Sequence, residues 1–337
     1  MAYVDLSNDA QAIRRIFVGL GLADVGEEVR ATPLTGGVSS GIFRIDLRSG
    51  RYCLKQALPK LKVAKDWSVP VERVFSEIEW LRTAGAIVPG AVPRVLGQDE
   101  ATKSFVMEYL GAEFRNWKSE LLAGSVDAGL AAAVGNMLGR IHAATADDPS
   151  VARRFATDDN FYAIRLEPYL AETARVHPAL ASRLGDTIER TRSTRRVLVH
   201  GDVSPKNILA GPGGPVLLDA ECAWFGDPAF DLAFCLNHFL LKSAHMPART
   251  GDLLACYGAL VQAYRPHVNW EPAAALESRV ASLLPGLTLA RVDGKSPVEY
   301  LSEPAREQVR RSAVALLQDT PVTLEALGDR WKQEFEA

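Results

Sequence analysis

The chain has 337 residues, 47% of them hydrophobic and 23% charged, with a formal net charge of -3, which suits an ordinary globular protein of two compact units or one bilobal one. The small acidic surplus argues against a nucleic-acid binder held by phosphate contacts, and the opening MAYVDLSNDA has acids where a signal peptide needs a basic and then an apolar stretch. No apolar run nears the ~20 residues that span a bilayer, and Cys53, Cys222, Cys235 and Cys256 lack metal-ligand spacing, so a cytoplasmic protein with reduced, buried thiols and no membrane partner is expected.

Apolar residues at Ile13, Ile16, Phe17 and Leu20 predict a helix over 9–20, closed by Gly21. Strand-like runs follow at 29–34, 42–47 and 52–56, the first two joined by the glycine-rich Thr35-Gly36-Gly37-Val38-Ser39-Ser40-Gly41. A helix is predicted over 71–83 behind Pro70, and strands at 94–96 and 104–109. Up to this point the chain reads as a small antiparallel sheet with one inserted helix. Past Leu110 it turns helical: Ser125 is read as the cap of a helix whose stripe is Leu130, Val134, Met137, Leu138 and Ile141, with His142 beside it as packing. Further helices are predicted over 178–192, 228–242, 251–264, 272–284, 304–317 and 323–334, interrupted by short β runs at 197–199, 208–209 and 216–218. The expected organisation is a lobe over 1–110, a hinge about 107–111 and a lobe over 112–337.

The strongest chemical signal is Val199-His200-Gly201-Asp202-Val203-Ser204-Pro205-Lys206-Asn207-Ile208-Leu209. An Asp followed five residues later by Asn, between two apolar β runs, is the arrangement of a kinase catalytic loop. Asp202 would orient and deprotonate the attacking hydroxyl, and the Asn207 amide oxygen is a hard ligand suited to Mg²⁺. Asp219, ending the 216–218 run, would supply a second ligand, with Glu221 as a further metal contact. Each residue alone is an ordinary loop residue; the joint spacing is what carries the reading.

The first lobe offers what holding ATP requires. Gly36, Gly37 and Gly41 allow backbone N–H groups close to phosphates, and Ser39 and Ser40 add hydroxyls. Lys55 ends the third strand, where a phosphate-contacting lysine belongs, and Glu77 is the carboxylate expected to fix it. Glu79 lies two residues on and so points about 200° away. Met107, Glu108 and Leu110 occupy the position of an adenine-binding hinge, with the Glu108 carbonyl and Leu110 N–H as the contacts. Between Asp219 and Gly226-Asp227-Pro228 there is no room for the activation segment of a protein kinase, so the acceptor is expected to be a small molecule. Trp224, His238 and Arg291 are the candidate substrate contacts, with Phe225 beside the first of them. The acids Asp293, Glu299, Glu303, Glu307, Glu334 and Glu336 interleave with Lys295, Arg306, Arg310 and Arg311, which reads as a solvated mixed-charge face.

The run 200–209, Asp219-Ala220-Glu221 and Gly226-Asp227-Pro228-Ala229-Phe230-Asp231-Leu232-Ala233 resemble the motifs of the aminoglycoside phosphotransferase and choline kinase superfamily. Within it, Leu54-Lys55-Gln56-Ala57-Leu58-Pro59, Trp67, Pro93 and Met107-Glu108 are similar to methylthioribose kinases. The resemblance implies an α+β, bilobal protein-kinase-like fold with a small antiparallel-sheet N-lobe and a larger, mainly helical C-lobe. It also implies ATP with Mg²⁺, Asp202 as catalytic base, Asn207 and Asp219 as metal ligands, and Asp231 with His200 as structural support of the catalytic loop. Unlike methylthioribose kinases, the chain keeps Asn207 and has a single arginine, Arg291, where that family has a pair. The expected function is transfer of the γ-phosphoryl of ATP to a hydroxyl of a sugar or sugar-like alcohol. An aminoglycoside phosphotransferase is the alternative, and a catalytically silent nucleotide-binding module is the reading from a different class.

Overall fold

The computed structural model describes residues 3–35, 37, 39–60 and 69–336. It forms two compact units, Met1–Glu113 and Phe114–Ala337. The first opens on α1 (Ala10–Gly19), capped by Asp9, whose Oδ1 accepts from Ala12 N at 2.8 Å. Strands β1 (Arg30–Pro33), β2 (Ser40–Leu47) and β3 (Gly50–Ala57) follow, then α2 (Arg73–Ile87), β4 (Val95–Asp99) and β5 (Ser104–Glu108). All neighbouring strands run antiparallel, in the order β1-β2-β3-β5-β4. Ile13, Ile16 and Phe17 of α1 pack with Phe43, Ile45, Leu54 and Val106, so the helical stripe meets the alternate, same-face residues of three strands.

The second unit is largely helical. It starts with the two-residue β6 (Arg115–Asn116), α3 (Trp117–Leu122) and α4 (Ala128–Thr145). The cap of α4 is Asp127, whose Oδ1 accepts from Gly129 N and Leu130 N at 2.7 and 3.2 Å, and not Ser125. Next come α5 (Pro149–Arg154), α6 (Asp158–Phe161), a π-helical stretch Tyr162–Ala171, α7 (Glu172–Val176) and α8 (Ala181–Ser193). Four short strands follow: β7 (Val197–Val199), β8 (Ile208–Gly211), β9 (Gly214–Leu217) and β10 (Trp224–Gly226). β10 pairs with β7, while β8 sits between β6 and β9. The chain ends in α9 (Pro228–His245), α10 (Thr250–Tyr264), α11 (Ala273–Asp293), α12 (Glu303–Gln318) and α13 (Leu324–Glu336).

Two departures from the sequence expectation matter for function. The 149–176 region is helical apart from residues 155–157, and α11 continues through Pro285 to Asp293, although a proline normally ends a helix near the residue before it. α9 is buried along almost its whole length, the central rod of this unit. α4 and α10 approach so closely that a Cβ on Gly135 would stand 2.2 Å from the Leu260 carbonyl oxygen. Gly135→Ala is therefore expected to destabilise the protein by about 1–3 kcal/mol, as overpacking does; the midpoint of urea unfolding reads it. All four cysteines are free and buried. No helix of the described residues is long and apolar enough to cross a membrane.

Candidate active site

In the first unit, Lys55 on β3 and Glu77 on α2 face each other, Nζ to Oε1 at 2.7 Å, at 3% and 2% exposure. Burial this deep holds such a pair in one geometry, because either charge alone would be strongly disfavoured. Glu79 instead pairs with Arg82 at 3.3 Å. One turn before Glu77, the buried Arg73 donates through Nη2 to the Ser39 and Leu58 carbonyls at 2.6 and 2.9 Å and through Nη1 to that of Pro70 at 2.9 Å. It ties the foot of α2 to the glycine-rich loop and to the chain leaving β3. Sequence reading passed over Arg73; its place four residues ahead of Glu77, on the same helix face, is the signal that could have found it.

Gly36 and Trp67 lie outside the described residues. Gly37 is required where it stands, since a Cβ there would meet the Ser40 carbonyl oxygen at 2.5 Å. Ser40 and Gly41 are strand residues and not loop residues: they pair with Ala57 and Gln56 across β3, and Ser39 and Ser40 are both buried. Met107 and Glu108 end β5 opposite Cys53 and Tyr52. The Glu108 N–H donates to the Arg94 carbonyl at 3.0 Å, and Leu110 follows just beyond the strand.

In the second unit, the 200–207 loop leaves β7 and enters β8. Gly201 has φ +78°, and a Cβ there would meet the Cys222 carbonyl oxygen at 2.6 Å, so glycine is the residue that fits. Asp231, in the first turn of α9, accepts from His200 N at 2.7 Å and from Gly201 N at 2.8 Å. His142 Nε2 lies 3.3 Å from the same carboxylate, and its Nδ1 lies 2.7 Å from the Tyr264 hydroxyl. His142 thus belongs to the support of this loop and is more than packing. His200 Nδ1 accepts from Asp202 N at 3.1 Å, which leaves Nε2–H to donate to the Leu218 carbonyl at 3.1 Å. Burial pushes its pKa below the usual imidazole value, against the opposing pull of Asp231. One neutral ring therefore links the Asp202 backbone to the residue before Asp219.

Asp202 is 4% exposed. Its Oδ2 lies 2.7 Å from Arg165 Nη2 and 3.6 Å from Lys206 Nζ. Both cations hold the same oxygen, which leaves Oδ1 without a partner among the described residues. Arg165 also donates through Nε to the Gly201 carbonyl and through Nη1 to that of Ile164, so its guanidinium fixes both the side chain and the loop backbone. Arg165 comes from the π-helical stretch and was not singled out by the sequence. Asn207 spends its amide N–H on the Asp202 carbonyl at 3.1 Å, which leaves its side-chain oxygen for another partner. Asp219 adopts φ +67°, a left-handed conformation that aspartate tolerates better than most side-chain-bearing residues. The Glu221 carbonyl accepts from Asn160 Nδ2 at 2.9 Å.

The three substrate candidates fare differently. Trp224 is a core residue: it is 1% exposed, its ring stacks on Phe161 at 4.3 Å, and its N–H donates to Asp158 at 2.9 Å. It has no face left for a ligand. His238 and Arg291 lie in one cationic region: His238 is buried, and burial together with Lys242, Arg291, Lys206 and Lys118 pushes its pKa well below the usual value. Arg291 Nη1 donates to the Tyr169 hydroxyl at 3.2 Å and to Ser296 Oγ at 2.9 Å. The acids near the C-terminus are engaged locally, Asp293 with Arg310 at 2.8 Å and His177 at 2.7 Å, Glu307 with Arg310, and Glu299 with Lys118.

No group of three or more His, Cys, Asp or Glu side chains among the described residues is arranged to hold a metal by itself. Mg²⁺ takes one or two carboxylates together with substrate phosphates and water. The hard oxygens of Asn207 and Asp219 fit that donor type.

The phosphotransferase enzyme family, APH, matches residues 30–276. The methylthioribose kinase of Yersinia enterocolitica serotype O:8 is 26% identical over 281 residues, 74% of this chain and 69% of that protein. That of Pectobacterium atrosepticum is 26% identical over 250 residues, 65% of this chain and 62% of the relative, so the chain spans about two thirds or less of the length of such relatives. Among solved structures, an ethanolamine kinase of Plasmodium vivax is 11% identical with a TM-score of 0.54, over 95% of this chain and 86% of that one, a likeness of protein-kinase-like fold. With the family's motifs spread over both units, the chain belongs to the APH phosphotransferase enzyme family.

Proposed function

We propose that this small-molecule kinase uses ATP and Mg²⁺ to phosphorylate a hydroxyl of a sugar-like alcohol. The observation that carries the reading is Asp202, its Oδ2 pinned at 2.7 Å by Arg165 and its Oδ1 left open. The acceptor hydroxyl donates to Oδ1, which orients its oxygen for in-line attack on the γ-phosphorus. As the new O–P bond forms and the bond to ADP breaks, the hydroxyl proton passes to Asp202. Asn207 and Asp219, with Glu221 as a further contact, are the residues that would hold Mg²⁺, which neutralises phosphate charge when bound. Lys55, held by Glu77, is assigned to the phosphates of ATP, and the backbone at Gly37, Ser39 and Ser40 to their neighbourhood. Met107, Glu108 and Leu110 are assigned to the adenine. The sugar-like acceptor follows the methylthioribose kinases.

The test is ADP release from ATP and Mg²⁺ across sugars, methylthioribose, amino alcohols and aminoglycosides, with mass spectrometry of the product. Stimulation by a hydroxyl compound with a mass gain of one phosphate is expected. ADP release that no acceptor stimulates, despite measurable ATP binding, would sink the reading in favour of a silent nucleotide-binding module.

A further inference from the structure

Beyond Arg165 the second unit holds a run of cations that nothing in the transfer chemistry uses. Arg165 and Arg291 flank one ring, their guanidinium carbons 5.8 and 5.7 Å from the centroid of Tyr169. Lys242 and Lys118 flank another, their ammonium nitrogens 5.2 and 5.9 Å from the centroid of Tyr300. Lys242 is 0% exposed, yet no carboxylate among the described residues lies within ion-pair distance of it. Burial, followed by the charge of Lys118, pulls its pKa down to about 7. Arg291 likewise has no acidic partner among the described residues, and its Nε and the Tyr300 hydroxyl are buried without a hydrogen-bond partner. Among the described residues Lys118 is engaged by Glu299, whose side chain is 67% exposed.

A buried cation without a counter-charge is costly, so a protein either pairs it or lets it shed its proton. Here Lys242 is buried and Arg291 half-buried, neither with a carboxylate partner among the described residues, although Arg291 Nη1 donates to Tyr169 and Ser296. The arrangement is continuous with Asp202 through Arg165 and Tyr169. The side chain of Lys118 is 29% exposed.

We infer that the substrate carries an oxyanion, a carboxylate or a phosphate, in addition to the hydroxyl, and that Lys242 and Arg291 bind it with Lys118 and Tyr300 beside them. The inference rests on the small-molecule kinase reading and narrows it. Aminoglycosides and amino alcohols would bring cations against cations, and a neutral sugar would leave Lys242 without a partner. Specificity would come from repulsion as much as attraction.

Calorimetric titration of the full chain without ATP tests this. The probes are D-gluconate, D-glucuronate and glycerol 3-phosphate against D-glucose, glycerol and kanamycin. At least one acid is expected to bind about tenfold or more tighter than its neutral counterpart, as one or two charge-assisted contacts would give. The carboxylate and phosphate arms identify the oxyanion. Lys242→Met should abolish most of that preference and Lys242→Arg retain it. Neutral or cationic probes binding as well as every acid, or an acid preference that folded Lys242→Met leaves intact, would overturn the inference. ADP-release assays separate the two readings. Preferred turnover of a neutral sugar leaves the kinase standing and removes the anionic substrate. Tight acid binding with no transfer from ATP does the reverse.

Discussion

Asp202→Asn is expected to lower kcat by about 10²–10⁴, the range a positioned general base contributes, while ATP binding stays close to that of the parent. The asparagine keeps the shape of the side chain but loses the proton-accepting Oδ1. The loop around it is held by groups that the substitution does not touch. Asp231 binds the His200 and Gly201 N–H groups, and His200 accepts from the backbone N–H of residue 202. Arg165 keeps its bonds to the Gly201 and Ile164 carbonyls, so it is not left without partners. A fall in kcat with an unchanged dissociation constant for ATP would be the signature. Equal losses in both would show that the aspartate holds the fold of the loop and not the proton.

Much of this arrangement is legible in the sequence because it is local. Asp202 and Asn207 are five apart in one loop, and the Asn207 side chain bonds the Asp202 carbonyl directly. Lys55 and Glu77 are readable because a strand is followed by a helix, and only one of two nearby acids faces back towards the strand. What escaped was non-local or broke a period. The 149–176 region contains a π-helical turn with Pro168 inside it. A wider turn abolishes the 3.6-residue spacing by which amphipathic helices are found, and the proline looks like a stop. Arg165 and Tyr169 were lost with it. Pro285 hid the second half of α11 in the same way, so Arg291 was placed by resemblance instead of by a helix face. The cap of α4 moved from Ser125 to Asp127 because both residue types suit a helix start, and only the chain direction decides between them. Lys242 closes the helix that the sequence predicts over 228–242; its burial is not legible there, because the Tyr300 ring it faces lies far away in the chain.

Arg165→Met should prove the most damaging change away from the transferring groups. Arg165 and Asp202 have side chains 6% exposed each and meet at 2.7 Å. Removing one partner of such a pair costs about 3–5 kcal/mol, since the remaining charge stays buried and uncompensated. The loss is asymmetric here. Asp202 would retain only Lys206, which is farther, at 3.6 Å, and 46% exposed, a contact that solvent weakens. Denaturant unfolding should therefore show a large drop in stability for Arg165→Met and a much smaller further change when Asp202→Asn is added, because the second substitution removes the stranded charge. Turnover separates positioning from mere folding. Under conditions where the variant remains folded, Arg165→Met should lower kcat with little change in the KM for ATP, and Arg165→Lys should recover part of it. If the two substitutions were additive in stability, or if Arg165→Met left kcat untouched, Asp202 would be oriented by the backbone of its loop alone and the guanidinium would be only a filler of the core.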